Sequence, residues 1–261
     1  MTVATKIIMG SGGVPEPSDD DFNTVGFLSH FDGANNGVNN VFDDESTNNY
    51  TVTIANSSSY PIPQGSFSPF SKPDGEWGLY NGVDVDGNYL SAADSADWDF
   101  GSGSFTVEAW VYATSIGDFN KIVGQWTHNG AVSTNSWTLE TVGAKLYFYA
   151  VIGGSIAVLA EAGSNFPLNQ WVHVAAVRNG NNHTIYQNGV GGTTVSNSGT
   201  YDAASGALEI GSFSSLSGGS WDGYISQVRV VKGTAVYTSD FTPPTASLTA
   251  ITNTKLLTCQ S

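Results

Sequence analysis

The segment "SFTVEAWVYA" (104–113) alternates between two kinds of side chain. Its odd-numbered residues from 105 to 111 are apolar, and its even-numbered residues from 106 to 112 read Thr, Glu, Trp and Tyr. Because successive side chains of a strand point to opposite faces, this period of two predicts a strand with one face in a core. The other face mixes aromatic and polar groups, so we expect a concave, amphipathic surface open to solvent.

The same pattern recurs in eight further segments, bounded by Gly, Asn, Ser and Asp. Their spacing is typical of a β-sandwich, and no helical periodicity is sustained along the chain. Glycine pairs such as Gly153-Gly154 favour the tight turns of consecutive antiparallel hairpins. These segments are 120–128, 136–142, 145–152, 155–162, 170–178, 183–189, 206–211 and 223–231. We therefore predict an all-β fold of two antiparallel sheets.

Composition excludes several classes of partner and site. The 261 residues include 8 basic and 23 acidic side chains, and the net charge of −15 disfavours nucleic acid and anionic membrane surfaces. Cys259 is the single cysteine, so no intrachain disulfide and no zinc–thiolate cluster can form. The most apolar stretch, 146–163, is interrupted by glycines and too short to span a bilayer, so we expect no membrane insertion. The apolar run at the N-terminus has about three residues, too few for the core of a signal peptide, so we expect no signal peptide.

The N-terminal residues differ from the rest of the chain. Residues 1–20 are rich in Gly, Pro and Asp and show no periodicity, which predicts a flexible arm ahead of one domain over 21–261. Lys6, Ile7 and Ile8 in "TKIIMG" are candidate anchor residues that add a strand to the sheet edge of a neighbouring protein. The alternative is a frayed terminus without a role.

Three blocks carry a family resemblance. They are "SFTVEAWVYA", "FPLNQWVHVAAVRNGNNHTIYQNGV" (166–190) and "GALEIGSFSSLSGGSWDGYISQVRV" (206–230). In order and spacing they resemble the laminin-G-like, or concanavalin A-like, jelly roll over about residues 25–261. The resemblance implies a two-sheet antiparallel sandwich in which His173 has a structural role.

A second resemblance concerns the setting. "HFDGANN" (30–36), "PQGSFSPFSKPDGEW" (63–77) and the C-terminal stretch 229–261 look like segments of structural proteins of tailed phages of marine bacteria. It implies a non-enzymatic protein of the virion surface, a capsid decoration or tail appendage that contacts other virion proteins. By analogy with appendages we expect a homo-oligomer, with a trimer preferred. The alternative is a fibre-tip adhesin that grips host surface polysaccharide, and a remoter alternative is a glycoside-active enzyme.

A sugar-binding site needs aromatic rings that stack on pyranose faces, with amides and carboxylates beside them to bind hydroxyls. We predict one concave face that holds the candidate rings, although a sandwich also buries tryptophans in its core. The candidates are Trp110, Tyr112, Trp126, His128, Trp137, Tyr147 and Tyr149.

Many members of the resembled fold bind a structural Ca²⁺ through an Asp and backbone carbonyls. The corresponding candidates here are Asp32, Asp84, Asp86 and Asp222. In relatives an acidic residue often follows the Ile of the late strand, whereas Ser226 and Gln227 stand there in this chain. We expect no other cofactor.

Catalytic motifs are missing from the sequence. The retaining glucanases of this fold use a Glu-x-Asp-x-x-Glu strand, and no such stretch occurs. Glu108 and Glu140 are single acids on separate strands, and we expect both to be solvated. The sequence therefore predicts no enzymatic activity.

Arg229 and Lys232 lie close together in the sequence, although the chain has only eight basic residues. We predict a structural role for them, in which Arg229 forms an exposed ion pair with a nearby carboxylate such as Asp222. An exposed pair of this kind adds at most about 1 kcal/mol.

Overall fold

The computed structural model describes residues 25–29, 42–55, 64–65, 67–70, 78–81, 89–127, 132–214 and 219–259. The predicted arm over 1–20, with Lys6, Ile7 and Ile8, lies outside these residues. The described strands are β1 (Phe27–Ser29), β2 (Thr53–Ala55), β3 (Gln64–Gly65), β4 (Gly78–Asn81), β5 (Tyr89–Ala92), β6 (Phe105–Ala113), β7 (Phe119–Gln125), β8 (Trp137–Val142), β9 (Lys145–Ile152), β10 (Ser155–Glu161), β11 (Trp171–Asn179), β12 (Asn182–Gln187), β13 (Val190–Gly191), β14 (Val195–Ser196), β15 (Leu208–Ile210), β16 (Gly223–Lys232) and β17 (Thr254–Thr258).

The strands form two sheets. Sheet A has ten strands, with the order β1-β17-β16-β6-β11-β12-β13 and with β3, β4 and β14 added at its margins. Sheet B has seven strands in the order β10-β9-β8-β7-β15-β5-β2. All described pairings are antiparallel except the one between β1 and β17. The predicted all-β, two-sheet antiparallel sandwich is confirmed.

The main core lies between the inner faces of the two sheets. From sheet A the odd positions of β6, Phe105 to Val111, are fully buried in it, as the period of two predicted. From sheet B, Trp137, Leu139 and Phe148 pack against them. Cys259 also lies in this core.

The nine predicted strands all form, with ends that differ by at most three residues. The turns between them also follow the sequence: Gly143, Gly153, Gly154 and Gly180 all have positive φ. Because the pattern of alternation and the turn residues agree, the local sequence determines these hairpins. Among the described residues no helix is long and apolar enough to cross a membrane.

Two segments without regular strands cover the outer face of sheet A, which is the face turned away from the main core. Residues 67–70 pack on its aromatic side chains, and residues 234–241 lie across β11 and β12. The second segment approaches the turn at Gly189 so closely that an added Cβ would lie 1.8 Å from the carbonyl oxygen of Phe241. Gly189 also has φ +77°, which favours glycine. The expectation that this face is open to solvent is therefore wrong.

Candidate functional site

Each sheet carries a group of buried charged residues on its outer face. The sheet A cluster consists of Glu108, His173, Arg229 and Tyr237. Arg229 donates from Nε to Glu108 Oε1 over 2.8 Å, and its Nη2 lies 2.6 Å from the same oxygen. The Tyr237 hydroxyl donates to Oε2 over 2.8 Å, and His173 Nε2 lies 3.1 Å from Oε2. Both carboxylate oxygens are therefore satisfied.

This arrangement decides the charge of Glu108. Burial alone would raise its pKa, but the hydrogen bond from His173 and the charge of Arg229 outweigh burial, so the pKa lies below its ordinary value. Glu108 is a buried carboxylate with a complete set of donors. The expectation that it is solvated is wrong, because Arg229 lies directly across from it in the register of β16 and β6.

The predicted pair between Arg229 and Asp222 is also wrong. Arg229 is buried and pairs with Glu108, and its Nη1 donates to the carbonyl of Thr249 over 2.8 Å. The structural role predicted for this basic pair is confirmed in a different form: Arg229 joins the sheet to the C-terminal segment, and Lys232 Nζ donates to the carbonyl of Ala96 over 2.6 Å.

The aromatic rings of sheet A are engaged within the chain. The Phe67 ring lies 5.1 Å from that of Tyr112, 5.4 Å from that of Trp171 and 4.6 Å from that of Tyr224. Phe70 contacts Trp110 edge-to-face at 5.5 Å. The predicted sugar-binding candidates Trp110 and Tyr112 are thus covered by the chain itself and only partly exposed.

The sheet B cluster consists of Lys121, Glu140 and Glu209, which come from the adjacent strands β7, β8 and β15. Lys121 stands directly across from Glu140 in the strand register. Its Nζ lies 2.6 Å from Glu209 Oε2 and donates to the carbonyl of Trp126, also over 2.6 Å. All three charged side chains are buried, so the expectation that Glu140 is solvated is wrong as well.

The electrostatics of the sheet B cluster differ from those of sheet A. Among the described residues, none offers a hydrogen bond to Glu140 Oε2, which is buried. Burial raises the pKa of Glu140 to about 8, and the charge of Lys121 offsets only part of that effect. Burial also lowers the pKa of Lys121, against the raising effects of Glu209 and Glu140. One lysine thus lies between two carboxylates and neutralises only one of them fully.

Next to this cluster, sheet B presents exposed aromatic and apolar groups. The rings of Tyr147 and Tyr149, both half-buried, stack with their centroids 5.6 Å apart and their planes at 25°. On the neighbouring strand β10, Val158 stands across from Tyr149, and Ile156 and Val158 are 57% and 51% exposed. We call these four residues the tyrosine patch. No described segment of the chain packs over it as Phe67 packs over sheet A.

The seven predicted sugar-binding residues do not share one face. Trp110 and Tyr112 lie on sheet A, and Tyr147 and Tyr149 lie on the outer face of sheet B. Trp126 packs with Val151, Phe213 and Tyr149 in a small cluster on that face. Trp137 is fully buried in the main core, where it cannot reach a ligand. His128 lies outside the described residues. Of the candidates that the structure describes, Tyr147 and Tyr149 form a half-exposed pair that no described segment covers.

The described residues do not assemble the predicted calcium site. Asp222 Oδ2 accepts a hydrogen bond from the Ser115 hydroxyl, and the Asp222 carbonyl accepts the Thr114 amide over 2.8 Å. Asp32, Asp84 and Asp86 lie outside the described residues. Within the described ranges, no group of three or more His, Cys, Asp or Glu side chains forms a set of metal ligands.

Sequence reasoning missed Lys121 and Glu209, which make the central contact of the sheet B cluster. A signal was present, since Lys121 is one of eight basic residues and directly precedes the apolar residues Ile122 and Val123 of its strand. Its partner, however, is 88 positions away, and the alternation within a single strand does not reveal which strand will be its neighbour.

The structure thus defines a two-sheet antiparallel β-sandwich with one outer face covered and the other bearing an accessible aromatic patch. A laminin-G family model, described as the concanavalin A-like lectin/glucanases superfamily, matches residues 84–236. The chain belongs to this superfamily. No curated protein matches the chain.

Solved structures give the same fold. Domain 4 of AbnA, an extracellular arabinanase of Geobacillus stearothermophilus in complex with arabinotriose, is 15% identical with a TM-score of 0.52, and the match covers 74% of this chain and 87% of that one. The binding domain of Paraclostridial Mosquitocidal Protein 1 is 14% identical with a TM-score of 0.52, covering 76% and 47%. A structure of botulinum neurotoxin type C, a toxin whose cell entry depends on interaction with two ganglioside molecules, is 14% identical with a TM-score of 0.53. The match covers 84% of this chain and 50% of that one. The chain spans about half the length of these toxin structures.

Proposed function

We propose that this chain is a non-catalytic carbohydrate-binding domain with an adhesin-like role. The observation that carries the proposal is the stacked, half-exposed pair of Tyr147 and Tyr149 on the outer face of sheet B. Aromatic faces stack on the C–H faces of sugar rings, and a solvent-exposed pair on a rigid strand loses little freedom on binding. Two proteins with this fold support the proposal: the arabinanase domain in complex with arabinotriose, and the type C neurotoxin, whose cell entry depends on interaction with two ganglioside molecules.

The charge of the chain narrows the ligand that we propose. A net charge of −15 disfavours an anionic polysaccharide, so we expect a neutral one. The ion pair of Lys145 and Glu161 flanks the tyrosine patch and offers polar groups for hydroxyls. Affinity for a single oligosaccharide is expected to be weak, because the patch is flat and small.

The test is a glycan array followed by calorimetric titration with the best neutral oligosaccharide. The double variant Tyr147→Ala/Tyr149→Ala should weaken binding at least about tenfold, because two stacking contacts of roughly 1 kcal/mol each are lost. Val190→Ala, at another exposed apolar residue, is the matched control and should bind as the parent does. Equal affinity of the double variant and the parent would contradict the proposal.

The setting that we propose is a virion surface, as the sequence resemblance to phage structural proteins implies. In this setting the domain is a receptor-binding adhesin, or a decoration or appendage subunit that packs against copies of itself and other virion proteins. Deletion of residues 1–20 should then abolish incorporation into particles and leave a folded domain. A folded chain that binds no glycan but still enters particles would favour the decoration role.

A structural Ca²⁺ stays a prediction. It would be held by Asp222 together with residues outside the described ranges. Thermal unfolding with and without a chelator tests it: the midpoint should fall on chelation if a structural ion is bound. An unchanged midpoint would exclude an ion that stabilises the fold.

A further inference from the structure

The contact between Lys121 and Glu209 has the geometry of two groups ready to react. Lys121 Nζ lies 2.6 Å from Glu209 Oε2, with side-chain exposures of 0% and 3%. A second hydrogen bond, to the carbonyl of Trp126, fixes the position of Nζ. Both side chains project from adjacent, paired strands of one sheet, so the backbone holds them in place. Such fixed proximity replaces the encounter of two free molecules and greatly accelerates bond formation.

Burial acts against the charge of Lys121, although Glu209 and the Phe213 ring both attract an ammonium. Nζ lies 4.7 Å from the centre of the Phe213 ring, and Phe213 packs with Trp126 and Val151. Burial lowers the pKa of Lys121. In such an apolar site, transfer of the proton from the ammonium to the adjacent carboxylate produces a neutral amine and a neutral acid, which cost less to bury than two ions. A neutral amine is a nucleophile, whereas an ammonium is not.

Glu140 supplies the third component. It stands directly across from Lys121, on the side opposite to Glu209 in the sheet order β8-β7-β15. Burial raises its pKa to about 8, so that it is mainly a neutral acid at neutral pH. Its buried Oε2 has no hydrogen-bond partner among the described residues. A buried carboxylic acid with an unused oxygen beside the reactants is suited to proton transfer.

We propose that Lys121 and Glu209 are joined by an intramolecular amide bond, with Glu140 as the group that transfers protons. Lys121 Nζ attacks Glu209 Cδ, and a C–N bond forms as the carbonyl π electrons move to oxygen. Glu140 gives its proton to the hydroxyl of this intermediate, the C–O bond breaks, and water leaves. The Glu140 carboxylate then takes the remaining extra proton from nitrogen. The net change is one amine plus one carboxylic acid to one amide plus water, with Glu140 regenerated.

Two other ion pairs among the described residues lack the conditions that the sheet B cluster combines. Arg229, which pairs with Glu108, stays protonated as a guanidinium and offers no free amine. Lys145 and Glu161 are about 40% exposed, so that water surrounds both charged groups and is not excluded from the pair. The sheet B cluster combines a lysine, two carboxylates and exclusion of water. The bond would link β7 to β15 and close a ring over 88 positions of the chain.

The test is the intact mass of the purified full-length chain under denaturing conditions. We expect the parent to be lighter than its sequence by one water, and Lys121→Arg to have its full sequence mass. Glu140→Gln keeps Lys121 and Glu209 but removes the proton-transferring acid. It should therefore have its full sequence mass, or form the amide far more slowly than the parent. Lys145→Arg is the matched control and should keep the deficit of one water. A peptide map should place the deficit in one branched peptide that contains residues 121 and 209.

A further variant checks the chemistry. Glu209→Gln presents an amide whose leaving group is ammonia, so any product that it forms has the same mass as the cross-linked parent. A folded parent with its full sequence mass would overturn the proposal and leave the sheet B cluster as a buried ion pair. A deficit of one water that survives in Lys121→Arg would overturn it as well.

Discussion

The outer faces of the two sheets bury charge in opposite ways. On sheet A, Glu108 receives hydrogen bonds at both oxygens from three side chains, and a segment from the C-terminal part of the chain lies over them. On sheet B, Lys121 is shared between two carboxylates, and Glu140 keeps a buried oxygen without a partner among the described residues. Because a buried oxygen without a hydrogen bond is costly, we expect the fully paired sheet A cluster to hold the fold together and the sheet B cluster to be suited to chemistry.

The aromatic groups differ in the same way. Phe67 and Phe70 of the same chain pack on the aromatic rings of sheet A. Tyr147 and Tyr149 on sheet B have no such cover from the described residues. Residue type alone therefore does not identify a binding surface. The same kinds of ring are packed where another segment of the chain covers them and accessible where none does.

The largest effect is expected from breaking the sheet A cluster. Arg229→Ala leaves Glu108 buried without its guanidinium, and the free energy of unfolding should fall by about 3–5 kcal/mol. The measurement is urea unfolding at neutral pH. The double variant Arg229→Met/Glu108→Leu should recover much of this loss, because no lone charge is then buried. A loss below about 1 kcal/mol for Arg229→Ala would show that the cluster is not a tight network.

The second effect concerns the pH dependence of the sheet B cluster. The pKa of Glu140 rises from 4.5 to about 8 on folding, so the native state binds more protons than the unfolded state between these values. Stability should therefore be greatest at the acid end of this window and fall as pH rises to about 8, by up to about 1.4 kcal/mol per pH unit. The proposed amide would not change the direction of this pH dependence. It removes the Lys121 ammonium, whose charge lowers the pKa of Glu140.

Glu140→Gln removes this titration and keeps the shape of the side chain. Its unfolding free energy should depend less on pH than that of the parent across this window. Urea unfolding at several pH values across the window measures both profiles. Parallel profiles would show that Glu140 is not the group that titrates.

A smaller effect separates the two aromatic surfaces. Phe67 is 43% exposed but contacts three rings of sheet A, so Phe67→Ala should lower stability by about 1 kcal/mol. The same variant should leave glycan affinity unchanged, because the tyrosine patch lies on the other sheet. Thermal unfolding and calorimetric titration give the two results. A loss of affinity in Phe67→Ala would transfer the proposed binding face to sheet A.

The smallest effect is expected at the exposed ion pair of Lys145 and Glu161. Lys145→Ala should leave the free energy of unfolding nearly unchanged, and any change should shrink at high salt. Urea unfolding at low and high ionic strength measures it. A loss as large as that of Arg229→Ala would remove the distinction between buried and exposed pairs.

Much of the fold was predictable from the sequence, because it depends on neighbours along the chain. The alternation in 104–113 gave the inner and outer faces of β6 correctly, and the glycines gave the hairpin turns. The burial of Glu108 was not predictable in this way. Its partner Arg229 is 121 positions away, and only the order of strands in sheet A brings the two together.

The candidate site was predicted only in part. Tyr147 and Tyr149 were among the expected residues, but Trp137, which follows the same kind of alternation, faces the core. A shift of one residue in register exchanges the two faces of a strand, so ring-bearing strands cannot be assigned to a surface from sequence alone. The cover that Phe67 provides is likewise a long-range contact that no local pattern reveals.

Hydrogen–deuterium exchange with and without a saturating neutral oligosaccharide tests whether the outer face of sheet B binds carbohydrate. We expect slower exchange in residues 145–158, which carry the tyrosine patch, and no change in β6 and β11 of sheet A. Protection confined to sheet A, or binding that leaves residues 145–158 unprotected, would show that the tyrosine patch is not the carbohydrate-binding face.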